Sequence, residues 1–588
     1  MAILRLYFLQ VVSHSEYKLL AVDQHSVFQK LFPKRGEIYL KERDGVFPAA
    51  INRETQMVYA VPRDVENIDE ASDFLSLLLG IDREEIKKKL SDKNDVYEPL
   101  KHKLSEEEIA KIKERRLRGI ELLPETYRYY PGKELASSVL GFVGWREDEL
   151  VGRYGLEAYF EENLRGKSGQ IFQNRDASGR WISIGKRELE EAKDGDSLVL
   201  TIDHIVQFET EKVLEGAVKQ YDADGGTVLV IEPESGNILS MASYPNFNPN
   251  EYSKVEDIAA FRNLAVSAAY ESGSVFKPIT MAAGLDSGRV KSDTTYIDTG
   301  SVVEAGYTIR NSDYKSYGQQ TMTGVLENSL NTGVIFVEKQ LGNKNFLDYV
   351  KRFGFGELTG IETIGESPGN INNLKNLKSD IQFFTASFGQ GITVTPIQLA
   401  MAYGAVANGG VLMRPKIIDK IMENNEIKEI ESREVRRVIS KEAARELISM
   451  LVSVVKNGHG KKAGVPGYLV GGKTGTAQVA STEKKGYEEG VNIGSFVGLA
   501  PANDPRFVVV VRINNPRNVE WAESSAAPAC GEIMKFLLEY YRIEPTEKFE
   551  QKDLDIFQAT HNLREYAMKA REEERGKPDS QEEEKNNQ

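Results

Sequence analysis

The sequence predicts an α+β architecture, and three observations predict it. Apolar strand runs stand at both ends of residues 196–545, helical runs fill the middle, and a turn joins the last two strands as an antiparallel pair. In chain order, Ser197–Ile202 reads as a strand and Gln207–Val218 as a helix, followed by strands at Gly226–Ile231 and Ile238–Ala242. Pro396–Ala407 and Lys441–Lys456 are helical runs. Ser495–Ala500 and Phe507–Arg512 are strands separated by Asn503-Asp504-Pro505, which predicts a hairpin.

Ahead of these, residues 17–195 mix short strand-like runs with a heavily charged stretch, Glu106–Leu122, read as a solvated helix. Glu188–Gly195 is charged and closes on Asp194-Gly195, a turn dipeptide that predicts a hinge before a new domain. Beyond Pro545 the chain is polar. Residues 546–588 bury too little apolar surface to offset ordering entropy, so a disordered tail is expected. Ala2–Val12 is apolar but short and interrupted by Arg5, whereas a spanning helix needs about 20 apolar residues. Residues 1–16 therefore read either as an amphipathic helix or as the end of a membrane anchor.

Composition excludes several functions. The 588 residues carry a net charge of -14, which argues against a nucleic-acid partner. Cys530 is the single cysteine, so neither an intrachain disulfide nor a cysteine-based metal site is expected. His14, His25, His102, His204, His459 and His561 are scattered with no i, i+4 pair, so they are read as structural, and no metal or other cofactor is expected.

Three short motifs carry the chemistry: Ser274-Val275-Phe276-Lys277, Ser329-Leu330-Asn331 and Lys473-Thr474-Gly475-Thr476. S-x-x-K alone is weak, since it recurs at Ser15, Ser183, Ser312, Ser453 and Ser481. Ser274 differs in context. It follows Gly273 and opens an apolar run, and Pro278 is tolerable only near a helix start. Ser274 and Lys277, at i and i+3, share one helix face. Burial lowers a lysine's pKa, and a neutral amine can take the serine proton. The helix N-terminus adds backbone N–H groups for a developing oxyanion. Ser329 could relay a proton to a leaving amine, and Asn331 could hold a peptide amide. Lys473 and the hydroxyls of Thr474 and Thr476 suit a substrate carboxylate. Gly475 would let substrate backbone approach the strand closely, and the Thr476 N–H would complete an oxyanion hole with that of Ser274.

Gly467–Thr474 also satisfies G-x-x-x-x-G-K-[ST], the phosphate-binding loop. That loop needs an apolar strand before it and a helix after it. Here a polar loop, Asn457–Lys462, precedes and a strand-like run follows, so no nucleotide is expected.

The set S-x-x-K, S-x-N and K-T-G resembles that of penicillin-binding proteins, and the match extends beyond it. Tyr270–Pro278 resembles the class B segment Y-E-P-G-S-x-F-K-P, with Ser272 where proline is usual. Ser387–Gln398 and Ala407–Gly410 are similar to further family blocks. Arg35–Ile38, Arg128–Pro131, Leu140–Gly144 and Gly155–Glu157 resemble the family's pedestal. Tyr39–Gly45 departs from its compact D-R-x-G.

The resemblance implies a transpeptidase domain of the serine β-lactamase-like fold at 196–545, an antiparallel sheet flanked by helices. An elongated mixed α/β pedestal of the dimerisation type would precede it at 17–195. It implies D,D-transpeptidation of peptidoglycan stem peptides through a Ser274 acyl-enzyme, with Lys277 as base, Ser329 as relay and Asn331 as amide clamp. Lys473, Thr474 and Thr476 would bind the carboxylate. β-Lactams would trap Ser274, and glycan polymerisation is not expected. The family is anchored in the plasma membrane by one N-terminal helix, with its catalytic domain on the extracytoplasmic side. Gly389-Gln390-Gly391 and Pro501–Pro505 lean toward the cell-division subtype, which works with a polytopic membrane glycan polymerase. The rivals are a D,D-carboxypeptidase or β-lactamase, and a non-catalytic β-lactam sensor or division scaffold.

Overall fold

A computed structural model describes residues 26–31, 33–146, 149–174, 188–304, 306–424, 426–481 and 486–576. The anchor reading of residues 1–16 lies outside the described residues. Among those described, no helix is long and apolar enough to cross a membrane. The chain divides into two compact units that interleave along the sequence. One comprises 1–37, 48–131 and 165–195; the other comprises 38–47, 132–164 and 196–588.

In the first unit, the strand Gly45–Ala60 pairs antiparallel with Ile120–Tyr129 through Ile51↔Tyr129 to Ala60↔Ile120. Helices Ile68–Leu79, Arg83–Ser91 and Glu106–Arg115 gather Leu75, Leu79, Ile86, Leu90 and Ile112 into a core with Val58 and Ala60. The charged helix stops at Arg115 rather than at Leu122. Arg116 turns left-handed (φ 49°) and its N–H caps Ile112 O, and Gly119 (φ 79°) then turns the chain into the strand. Ser105 opens that helix with a capping box, its hydroxyl accepting from Glu108 N.

The second unit is built on a five-stranded antiparallel sheet. The unit's elements in chain order are β1 (Ile38–Glu42), β2 (Ser197–Asp203), α1 (His204–Gln220), β3 (Gly225–Ile231) and β4 (Ile238–Tyr244). They continue with α2 (Lys277–Asp286), α3 (Met322–Glu327), α4 (Asn331–Leu341), α5 (Pro396–Ala407) and α6 (Lys441–Asn457). Last come β5 (Gly471–Ala480), β6 (Tyr487–Ala500), β7 (Phe507–Asn514), α7 (Ala526–Tyr540), α8 (Gln551–Thr560) and α9 (Leu563–Gly576). Strand order is β4-β3-β7-β6-β5, which leaves β5 at an edge. Segment 38–47 belongs to this unit because β1 pairs in parallel with β2 (Leu198↔Ile38).

The central strands β3 and β7 are buried on both faces, which is why they read as unbroken apolar runs. Val228, Val230, Val509, Val511 and Ile513 face α1 and α7, where they meet Val213, Ala217, Ile533 and Leu537. The opposite face receives α5, buried at every position; a Cβ on Gly404 would stand 3.0 Å from Ile231 Cδ1.

The expected disorder beyond Pro545 is overturned for residues 551–576, which form α8 and α9. Their sparse apolar residues are spaced to be buried: Phe557 and Leu563 join the core, and Ala567 is buried too. Leu563 O lies so close to Gly216 that a Cβ there would stand 1.9 Å away, and Arg571 Nε donates to both oxygens of Glu215 at 2.7 and 2.9 Å. Composition misled because charge on the outer face hides a narrow apolar seam. Leu563→Ala is therefore expected to lower stability by about 2–4 kcal/mol in urea denaturation, where a disordered tail would give no change.

Candidate active site

Ser274 lies in a single 3-10 turn, Gly273–Phe276, that runs directly into α2. The helix proper begins at Lys277, so Ser274 stands one turn ahead of it rather than inside it. Pro278 sits in the first turn of α2, where its missing N–H costs nothing. In a 3-10 turn, side chains at i and i+3 eclipse, so this geometry aligns Ser274 with Lys277 more closely than an α-turn would. Lys277 N closes the turn on Ser274 O. Gly273 takes φ 59°, and Tyr403 on α5 donates its hydroxyl to Val275 O at 2.7 Å.

Lys277 is wholly buried. Its Nζ donates to Ser329 O and, at 3.2 Å, to Ser329 Oγ. Ser329 sits between α3 and α4 with φ 55°, a left-handed turn that presents its carbonyl and hydroxyl together. A short helix delivers this segment: Thr321 Oγ1 caps α3 by accepting from Gly324 N. Asn331 opens α4 and donates through Nδ2 to Arg310 O at 2.8 Å. Behind it, Thr332 Oγ1 donates to Asp298 Oδ1 at 2.6 Å.

The third motif lies on the edge strand β5, in register Lys473↔Val497 to Thr476↔Gly494 with β6. Strand alternation divides the motif. Gly475 faces the Ser274 turn and Lys473 leaves the strand on the same side, yet its Nζ reaches back to donate to Thr474 Oγ1 at 3.4 Å, while Thr476 Oγ1 accepts from Ala522 N at 3.1 Å. Gly475 has a different cause from the one expected. A Cβ there would stand 2.8 Å from Val275 N and 2.9 Å from Ser272 O, so the glycine lets β5 pack on the Ser274 turn.

Lys473 is also wholly buried, and its Nζ donates to Thr474 O at 2.9 Å. Burial brings its pKa down to about 7, with the Glu523 carboxylate acting in the opposite direction. Burial first, and the Lys473 charge second, push Lys277 well below the ordinary lysine range. Among the described residues neither ammonium meets a carboxylate, which makes the two lysines costly to keep charged, a pattern that marks functional sites.

The elements are thus assembled: a serine on a helix-entry turn, a buried lysine bonded to a second serine, and a glycine-containing edge strand against both. Residues 226–535 match the penicillin binding protein transpeptidase domain, and residues 30–200 match the penicillin-binding protein dimerisation domain. The chain belongs to the penicillin-binding protein transpeptidase family. It is 36% identical over 557 residues to stage V sporulation protein D of Bacillus subtilis, covering 93% of this chain and 84% of that protein. It is 32% identical to the peptidoglycan D,D-transpeptidase FtsI of Escherichia coli K12, covering 74% of this chain and 71% of that one. The crystal structure of penicillin binding protein 3 from Mycobacterium tuberculosis, complexed with aztreonam, superimposes with a TM-score of 0.68 at 25% identity, covering 89% of this chain and 99% of that one.

In this penicillin-binding protein, sequence reasoning missed the support behind Ser274. Tyr270 OH meets Ser495 Oγ at 2.9 Å, and the Arg512 guanidinium stands 4.3 Å over the Tyr270 ring while Nη1 donates to Ala268 O at 2.8 Å. These contacts hold the segment that enters the Ser274 turn. One signal was available: Arg512 is a lone cation inside the valine run of β7.

Proposed function

We infer that the chain is a peptidoglycan D,D-transpeptidase that cross-links stem peptides through an acyl-enzyme on Ser274. The observation that carries this reading is the Lys277 amine, buried and bonded to Ser329, one turn from Ser274. A neutral amine has two N–H bonds; with both directed at Ser329, its lone pair is left to take the Ser274 proton. Ser274 Oγ attacks the penultimate D-alanine carbonyl, and the N–H groups of Ser274 and Thr476 stabilise the oxyanion. Ser329 passes the proton to the departing D-alanine amine. An acceptor amine from a second stem peptide then attacks the ester and restores the serine.

The donor peptide adds to the free edge of β5 as an extra strand, Asn331 holds one of its amides, and Thr474 and Thr476 hold its carboxylate. Lys473 joins them there and, through its charge, helps keep Lys277 neutral. β-Lactams, which present a strained cyclic amide beside an anionic group where the peptide has an ordinary amide and a carboxylate, acylate the same serine. This is supported by the Mycobacterium tuberculosis structures titled as complexes with aztreonam and ampicillin. The first unit serves as pedestal, and the enzyme works at the extracytoplasmic face of the plasma membrane, held by an N-terminal anchor. It acts in septal wall synthesis beside a polytopic glycan polymerase; the relative named peptidoglycan D,D-transpeptidase FtsI supports the wall-synthesis part of that assignment.

The test is the product. Stem pentapeptide with an added acceptor amine is expected to yield free D-alanine and a cross-linked dimer in equal amounts. D-Alanine release that ignores the acceptor would make the enzyme a carboxypeptidase, and none at all would leave a scaffold.

A further inference from the structure

The oxyanion donors assigned above lie on two different elements: Ser274 N on the nucleophile turn and Thr476 N on β5. Their separation is set by how turn and strand are held together. Three contacts are backbone packing. Gly475 abuts Ser272 O and Val275 N, Gly273 N donates to Gly389 O at 3.2 Å, and Tyr270 exchanges two hydrogen bonds with Val394 at 3.0 and 2.9 Å. The nucleophile segment is thereby sandwiched between the 389–394 loop and β5.

One side chain crosses that sandwich. Glu271 Oε1 accepts from Gly391 N at 3.0 Å, and Glu271 Oε2 accepts from Tyr487 OH at 3.0 Å. Tyr487 begins β6 and pairs with Ala480 at the far end of β5, four residues beyond Thr476. A single carboxylate therefore joins the loop on one side of the nucleophile turn to the β5–β6 hairpin on the other. Burial raises the Glu271 pKa, and the two hydrogen bonds act against that rise, so the group sits where an unpaired carboxylate would be unfavourable.

We propose that Glu271 is a positioning residue whose bridge from Gly391 N to Tyr487 OH sets the spacing between the Ser274 and Thr476 N–H groups. It does not touch the reacting atoms. The inference rests on the transpeptidase reading of the site, because it presumes that those two N–H groups act on one oxyanion. Its effect belongs to the transition state: a misplacement of about 1 Å can cost ~100-fold in rate while leaving ground-state binding nearly unchanged.

The experiment uses the full chain and a fluorescent penicillin, with stopped-flow traces resolved into the binding constant and the acylation rate constant. Tyr487→Phe removes one half of the bridge without disturbing the loop. It is expected to lower the acylation rate constant by roughly 10-fold or more, with the binding constant changed less than about twofold. Glu271→Ala is expected to match or exceed that loss, and Glu271→Ala/Tyr487→Phe to be no slower than Glu271→Ala, since the two residues act as one unit.

Glu271→Gln separates bridging from charge. Its amide oxygen can still accept from Gly391 N and its NH2 can donate to the Tyr487 oxygen, so the rate should return to within about threefold of wild type. Tyr487→Phe acylating within twofold of wild type would overturn the proposal even if Glu271→Ala failed to fold. So would a loss confined to the binding constant, or a Gln variant as slow as Ala. Wild type forming no adduct would take down the transpeptidase reading as well, whereas normal wild-type acylation with unaffected variants would remove this inference alone.

Discussion

Ser274→Ala eliminates covalent capture of a penicillin, seen by intact mass before and after exposure, while Ser312→Ala and Ser453→Ala leave it intact. All three serines satisfy S-x-x-K, so sequence pattern alone does not rank them. Their surroundings do. Ser453 lies on α6 and donates its hydroxyl to the Glu327 carboxylate, an arrangement that engages it as a structural donor. Ser312 follows Asn311 in an exposed turn, and Lys315, the lysine three residues on, is exposed as well. Only Ser274 stands on a turn that enters a buried helix, one turn from a wholly buried lysine. Removing a nucleophile costs on the order of 10⁶-fold in related acyl-transfer chemistry, so no adduct should form on any practical timescale. An adduct of unchanged mass on Ser274→Ala would place the nucleophile elsewhere and dissolve the mechanism.

Lys277→Ala keeps Ser274 but removes its base, and acylation is expected to fall by ~10²–10⁴-fold, the usual contribution of a positioned general base. The pH profile gives the same group a second signature. The active form is the neutral amine, so wild-type acylation rises with pH through the folded Lys277 pKa and then levels. Burial, with the Lys473 charge, has already pushed that pKa well below the ordinary value of 10.5, so the plateau is reached well below pH 10.5. Lys473→Met removes the like charge, which raises the Lys277 pKa and moves the acid limb toward higher pH. Stopped-flow acylation from pH 5 to 10 measures both. A profile flat across that range, or a limb that moves to lower pH in Lys473→Met, would show that Lys277 is not the base.

These two predictions use residues that were legible before the fold was seen. Ser274 was separable from five similar serines because apolar residues and Pro278 follow it, and local sequence carries that information. Ser329 and Asn331 were legible only through their order between the other motifs. What local pattern does not carry is which face of a strand meets what. Gly475 reads as room for a substrate, yet its missing Cβ is filled by Val275 N and Ser272 O. Lys473 and Thr474 leave the strand on opposite sides, yet burial folds the lysine Nζ back to the Thr474 hydroxyl at 3.4 Å while its charge acts on Lys277. The C-terminal helices failed for a related reason: composition averages over faces, and the seam of Phe557, Leu563 and Ala567 is narrow.

The sequence by itself determined an α+β frame with a late antiparallel sheet, and it singled out the candidate serine and lysines whose chemistry is proposed above. These follow from short-range properties, namely periodicity, turn residues and motif order. The tertiary structure alone decided how those groups act. It buries both lysines with no carboxylate on either ammonium among the described residues, packs β5 onto the Ser274 turn, and brings Glu271 and Tyr487 together across 216 residues of chain. Desolvation and close packing depend on everything that surrounds a group, and no local stretch of sequence contains its own surroundings.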